Sequence, residues 1–398
     1  TPVTANSLMN SDRVYTPLNL KIIYTVKNSR NGIRFFGGRN TSIPRDRWFC
    51  YTFNNDLHTS ASTWVPCIDN FNEKPAWDIN IVVPKTIGDI GREKIIGTKE
   101  AEEALRQIQL EEMDEDDADV DADGESKVED GGSKVHDGAK DEDTKKGEND
   151  EETTDKDLSA DDNKPDESSD NGVDESRQIV VAVPDLVSFK ETPHKVDMSK
   201  KVVNFQFYNP VSAHHLGFAI GPFEKVPLLE PSPSNGKLVP RKAFLASFAD
   251  ENEEPLDMSM EANSNKVPTM YYFLPGRREE VVNSTLFMYK ALNFYSKEFS
   301  SFPFTSYTVV FLEDFPSDVC TFAGMTIASV KLLYGPRLIE PSFKTTDILS
   351  SALAEQYSGV NVLPKSLNDI WCTTGLAGYM SLQFLKKLYG VNMFKYMI

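Results

Sequence analysis

Cysteine and histidine are scarce in this chain of 398 residues, with four of the first and five of the second. Cys50, Cys67, Cys320 and Cys372 form no CxxC pair. That excludes a zinc ribbon, argues against a disulfide framework and fits a reducing intracellular compartment. The histidines are His58, His136, His194, His214 and His215, so none lies between Leu216 and Ile398. Any metal site in the second half would lack the commonest metal ligand. No apolar run approaches the ~18 residues of a membrane span. The opening Thr1-Pro2-Val3 carries no charged and apolar leader pattern, and the chain reads as a piece of something longer. Charge of one sign is also missing once it is located. The net charge is −19, yet Glu111 to Glu175 alone hold 29 carboxylates against 7 lysines. The remainder carries 32 acids and 35 bases, a nearly neutral protein interrupted by an acidic insert. The whole-chain balance therefore neither excludes nor indicates nucleic acid.

What is present falls into regions. Up to about Lys99 the chain is rich in short β-type runs. Leu18 to Val26 alternates like a half-buried strand, and Asp78 to Val83 does the same. No amphipathic helix separates them, so antiparallel sheet is expected rather than βαβ units. A helix-prone stretch, Lys99 to Met113, leads into sixty-odd residues of Asp, Glu, Lys, Ser and Gly without an aromatic residue. Such a segment cannot bury enough apolar area to offset its chain entropy, and disorder is expected over about 111–176. Strand-like pieces flank it, which suggests a loop insertion inside one domain. Val202 to Tyr208 alternates again, Leu216 to Glu224 closes the β-rich region, and a polar loop runs from about Leu229 to Val267. Helical spacing then takes over. Val282, Leu286, Tyr289, Leu292 and Tyr295 mark one long amphipathic helix from Glu279 to Phe299. Tyr307 to Leu312 reads as a strand. Thr346 to Tyr357 reads as a helix capped by Thr345 or Thr346 and ended at Gly359, and Ser366 to Tyr389 as another, with Gly390 past its end.

Five segments carry a family resemblance. Trp64-Val65-Pro66-Cys67-Ile68-Asp69 and Phe218 to Glu224 resemble the W-x-P-C-x-D and A-x-G-P-F-E segments of gluzincin aminopeptidases. Ala323-Gly324-Met325 stands in the place of their G-A/G-M-E-N motif. Leu353 to Gly359 is in register with H-E-L-x-H-Q-W-x-G, and Asn368 to Tyr379 resembles N-D-x-W-L-N-E-G-F-A-x-Y. Order and spacing match from Trp64 to Tyr379. The resemblance implies an α+β fold: an N-terminal antiparallel β domain of the aminopeptidase saddle type, then the start of a thermolysin-like α/β domain lacking the zinc site. The implied domains are 1–228, carrying the insert, then a polar loop over 229–268, and 269–398 as a truncated pseudo-peptidase domain.

Catalysis in that family needs histidines at i and i+4 on one helix face to hold Zn²⁺, with the intervening Glu as general base. Here the ligand positions are Ser351, Glu355 and Thr374, the base position is Ala352, and the carboxylate that would hold a substrate amine is Thr326. Ligands, base and amine anchor are degenerate, so no catalytic residue, metal or other cofactor is expected. Leu353, Tyr357, Trp371, Leu376 and Tyr379 are expected to keep the packing face. His214 and His215 have no ligand-type partner at metal-site spacing and read as structural residues.

Within the family, the form S-x-L-A-x-Q-x-x-G from Ser351 to Gly359 and W-x-x-x-G-x-x-G-Y from Trp371 to Tyr379 resembles the aminopeptidase-like subunits of the general transcription factor TFIID. The resemblance implies a nuclear, non-catalytic scaffold in RNA polymerase II preinitiation complexes. Its implied partners are other TFIID subunits and core-promoter DNA, with no membrane. Basic proteins such as histones are a further expected partner, through the acidic insert. Arg30, Arg34, Arg39, Arg45 and Arg47 are the first candidate DNA contacts, followed by the basic pairs Arg277-Arg278 and Lys386-Lys387. Two other readings stay open: a module whose peptide groove holds a partner's chain terminus, and a working zinc aminopeptidase.

Overall fold

The computed structural model describes residues 20–26, 32–38, 41–54, 61–70, 73–92, 174–231, 238–240, 267–338 and 341–397. The chain divides into two compact units, one of Thr1–Lys94 with Asp174–Ile398 and one of Ile95–Val173. The second unit holds nearly all of the acidic insert and lies outside the described residues, so the expectation of disorder falls there too.

In the first unit, strands β1 (Gly32–Phe36), β2 (Phe49–Phe53), β3 (Asp78–Pro84), β4 (Val180–Ala182), β5 (Lys190–Pro193), β6 (Lys200–Gln206) and β7 (Ala219–Gly221) build two antiparallel sheets. Their orders are β1-β2-β7-β4 and β3-β6-β5. β6 alternates cleanly, with Val203 and Phe205 buried and Gln206 exposed, as a one-sided sheet requires. The strands either side of the insert, β3 and β4, belong to different sheets. Their continuations nevertheless meet: Ile87 N donates to Arg177 O (3.0 Å), Gly88 N to Glu175 O (3.0 Å) and Ile179 N to Lys85 O (2.9 Å). The insert therefore leaves and re-enters through one clasp, and closing even a long loop adds only logarithmically to its entropy cost.

Strand β8 (Glu224–Pro227) crosses into a five-stranded mixed sheet. After the short hairpin β9 (Leu229–Pro231) and β10 (Leu238–Pro240), that sheet takes β11 (Thr269–Phe273), β12 (Tyr307–Leu312), β13 (Val319–Phe322) and β14 (Met325–Ser329). Its order is β13-β14-β12-β11-β8, with β11, β12 and β14 parallel. All six residues of β12 are buried, as expected for a central strand covered on both faces. Helices α1 (Arg278–Ser284) and α2 (Met288–Glu298) connect β11 to β12, and α3 (Pro341–Glu355) and α4 (Ile370–Met397) come after β14. A core of Tyr271, Phe273, Tyr295, Phe311, Leu349, Leu353, Phe384 and Leu385 joins sheet and helices. The α+β class expected from the sequence is the observed one.

Four local expectations are corrected. Residues 20–26 form no strand, and Leu20 and Ile23 are 83% and 90% exposed, because no strand among the described residues takes up their backbone groups. The helix expected over Glu279–Phe299 breaks between α1 and α2. There the Thr285 hydroxyl donates to Val281 O (2.7 Å), and Ser284 exchanges hydrogen bonds with the Tyr334 backbone. Hydroxyl side chains that bond to nearby backbone weaken a helix interior. α3 starts at Pro341, a residue suited to a first turn, and Thr345 and Thr346 are buried inside it instead of capping it. On α4 the buried side is Thr373, Ala377, Met380, Ser381, Phe384 and Leu385. Trp371, Leu376 and Tyr379 face outward, at 73%, 51% and 55% exposure, so only Leu353 and Tyr357 keep the expected packing.

Both glycine stops are present. Gly359 (φ 132°) ends α3 and Gly390 (φ 85°) breaks α4. Since side-chain-bearing residues rarely adopt these angles, Gly359→Ala is expected to cost about 1–3 kcal/mol. Equilibrium urea unfolding checks this; an unchanged midpoint would contradict it.

Candidate functional site

α3 and α4, which carry the motif positions Ser351 to Gly359 and Trp371 to Tyr379, lie side by side. Ser350 and Ser351 both reach Ser381, at 2.9 and 3.1 Å, and Ser358 Oγ donates to Thr373 O at 3.0 Å. Each candidate position then has a definite occupation. The Ser351 hydroxyl is spent on Ser381. Ala352, at the base position, is buried in the helix interface. Glu355 Oε2 accepts a 2.6 Å bond from Thr321 Oγ1 on β13. Thr326 is fully buried on β14, its hydroxyl 2.8 Å from Tyr307 OH on β12. Thr374 is exposed. The register pairs Thr321 with Thr326, and the Glu355 charge helps raise the Tyr307 phenol, after burial. These groups therefore form one internal network beneath α3.

That donor set does not suit zinc, which takes His nitrogen, thiolate or carboxylate at about 2.0–2.3 Å. Glu355 is the one carboxylate among the three ligand positions, and Thr321 already engages it. Cys320 donates to Asn54 O (3.4 Å), and Cys372 is exposed on α4. Among the described residues, no group of three or more His, Cys, Asp or Glu side chains could hold a metal ion. His214 and His215 sit elsewhere, ring against ring at 5.1 Å. Burial is the main cause holding both imidazoles below their usual range, at about 4 and about 3.

Gln356, the Q of S-x-L-A-x-Q-x-x-G, is the motif residue whose role the sequence leaves unassigned. Wholly buried, it accepts from Gly324 N (2.9 Å) and donates to Phe322 O (3.0 Å) and Met325 O (3.4 Å). It fastens the β13–β14 turn to the end of α3. The sequence signal was a lone amide in an apolar helix terminus, but its partners lie more than 30 residues away. The cleft beside that turn, lined by Tyr208, Phe304 and Gly324 among others, holds about 20 Å³. That is room for about one water molecule, not for a peptide terminus.

The candidate DNA arginines are scattered in their occupations. Arg30 and Arg39 lie outside the described residues. Arg34 stands 4.1 Å from the Phe53 ring centre, and Arg45 6.0 Å from that of Trp48. Arg47 pairs with Glu313 at 2.8 Å, and Arg277 approaches the same carboxylate at 3.5 Å.

No family model matches the chain. The chain is 34% identical to the transcription initiation factor TFIID subunit 2 of Saccharomyces cerevisiae, over 97% of its own length and 28% of that protein's. To the subunit of the same name from Schizosaccharomyces pombe it is 27% identical, over 96% of its length and 27% of that protein's. A shorter stretch, 30% of this chain and 13% of the other, is 29% identical to human endoplasmic reticulum aminopeptidase 2. The chain thus resembles TFIID subunit 2 along nearly its whole length, while spanning about a quarter of the length of those relatives.

Proposed function

We propose, from its kinship with TFIID subunit 2, that this chain is a non-catalytic scaffold portion of a nuclear transcription-initiation complex. In that role it joins other TFIID subunits and contributes to core-promoter recognition during RNA polymerase II preinitiation-complex assembly. The carrying observation is the occupation of the aminopeptidase positions. Serine, alanine and threonine replace ligands, base and amine anchor, and Glu355, Thr326 and Ser351 are engaged in bonds that pack strand to helix. A fold maintained with its reactive positions turned to internal fastening is suited to presenting surfaces.

Catalysis needs groups free to meet a substrate and polarise it. Here the base position ends in a methyl group, and the amine anchor is a buried hydroxyl facing a phenol. The small cleft by Gly324 likewise disfavours the reading in which a partner's chain terminus is held there. The acidic insert, with its 29 carboxylates, suits docking of basic proteins such as histones.

Metal analysis joined to an aminopeptidase assay tests the non-catalytic part. Purified chain should carry zinc far below one equivalent, with unblocked peptides left intact; stoichiometric zinc with cleavage would end the reading. Crosslinking mass spectrometry on an assembled complex tests the scaffold part. Links should spread over several outer surfaces; links confined to the Gly324 cleft and a partner terminus would favour the groove reading.

A further inference from the structure

The helical face formed by α2 and α4 has a charge pattern that the arginine-based reading does not use. From Ile370 to Ile398 there is no aspartate or glutamate, while Lys386, Lys387 and Lys395 are present. α2 adds Lys290 and Lys297, with Glu298 as its one acid. Helical spacing of four and three residues puts Lys290, Phe294 and Lys297 in one stripe. Lys387 comes across from α4, its ammonium 5.2 Å from the Phe294 ring centre. Lys387 thus reaches from α4 to the ring of the α2 stripe. Lys386 stands 5.1 Å from the Phe394 ring, and Tyr396 stands out at 84% exposure beside Lys395. Asp347 on α3 is half-buried and acts on Tyr295 and Tyr389, and burial raises its carboxyl.

We infer that this lysine face of α2 and α4 contacts the phosphodiester backbone of double-stranded DNA. Lysine ammonium groups on an acid-poor helical face suit a repeating anion, and they supply position without base specificity. The inference rests on the promoter-recognition reading and moves its contact from the N-terminal arginines to the helices.

The test is a fluorescence-anisotropy titration of a labelled duplex of about 40 base pairs at several salt concentrations. It compares the unaltered chain with the triple variant K290Q/K297Q/K387Q. Loss of three phosphate contacts should weaken binding about tenfold or more and lower the slope of log K against log salt by about 2–3. The variant K290R/K297R/K387R should bind like the parent, and matching circular dichroism melts confirm that each variant folds. Unaltered affinity and slope in the triple glutamine variant overturn the lysine face and leave promoter recognition standing. No duplex binding by the parent, even at low salt, overturns both. Binding of poly-glutamate through the same lysines, without duplex binding, would assign the face to an acidic protein segment and equally overturn the inference.

Discussion

Replacing Gln356 by methionine, which keeps its volume, is expected to lower the unfolding free energy by about 3–5 kcal/mol. The side chain makes three hydrogen bonds in a fully buried place, and their removal leaves Gly324 N–H and two strand-end carbonyls facing an apolar thioether. A bond between neutral groups contributes only about 1 kcal/mol net, but a buried donor left without a partner costs about 1–3 kcal/mol more. The effect should reach beyond the site, because the turn from β13 to β14 also places Thr321 and Thr326. Urea unfolding gives the size, and hydrogen exchange at Gly324 gives the place. A loss under about 1 kcal/mol would mean the turn holds itself and the α3 contact is incidental.

Acid should weaken the protein through His214 and His215. An unfolded imidazole takes its proton near pH 6.5, whereas in the folded chain the pair does so at about 4 and about 3. Burial is the leading cause for both; His214 and Lys74 further depress His215, and Asp69 partly opposes the shift at His214. Between those limits the unfolded chain binds more protons, so stability rises with pH across the window and is lost as pH falls below about 6.5. At pH 5 the cost is about 2 kcal/mol per histidine, about 4 kcal/mol for the pair. Carboxylates add a pH dependence of their own, so the comparison is with H214N/H215N. The double variant should lose about that much less stability between pH 7.5 and pH 5, as read from urea midpoints. An equal loss in both proteins would sink the assignment.

The two expectations concern one neighbourhood. His215 O accepts from Ala323 N (3.0 Å), so the histidine turn grips the β13–β14 turn from one side while Gln356 grips it from the other. The turn is thus held from both sides. Lys74 Nζ, 2.8 Å from Asn361 O, adds a further tie between the β-rich part and the loop after α3.

Much of this was legible in order along the chain. Alternation located β3, β6 and β12, glycine placement located the end of α3 and the break in α4, and the acid count located the insert. Helix spacing also placed Ser351 and Glu355 one turn apart on α3. Where the reading went astray, neighbours were the cause. Residues 20–26 have a strand's pattern but no strand beside them among the described residues. Trp371, Leu376 and Tyr379 have apolar character, but α4 turns its other side to the core. Sequence by itself determined composition, periodicity and the scarcity of histidine and cysteine, since these are local properties of the chain. Only the tertiary structure decided what the remaining groups do: Glu355 with Thr321, Thr326 with Tyr307, Gln356 with Gly324 and Lys387 over Phe294 join residues from 19 to 93 positions apart. Such pairings depend on how sheets and helices stack in space, and no spacing along the chain encodes them.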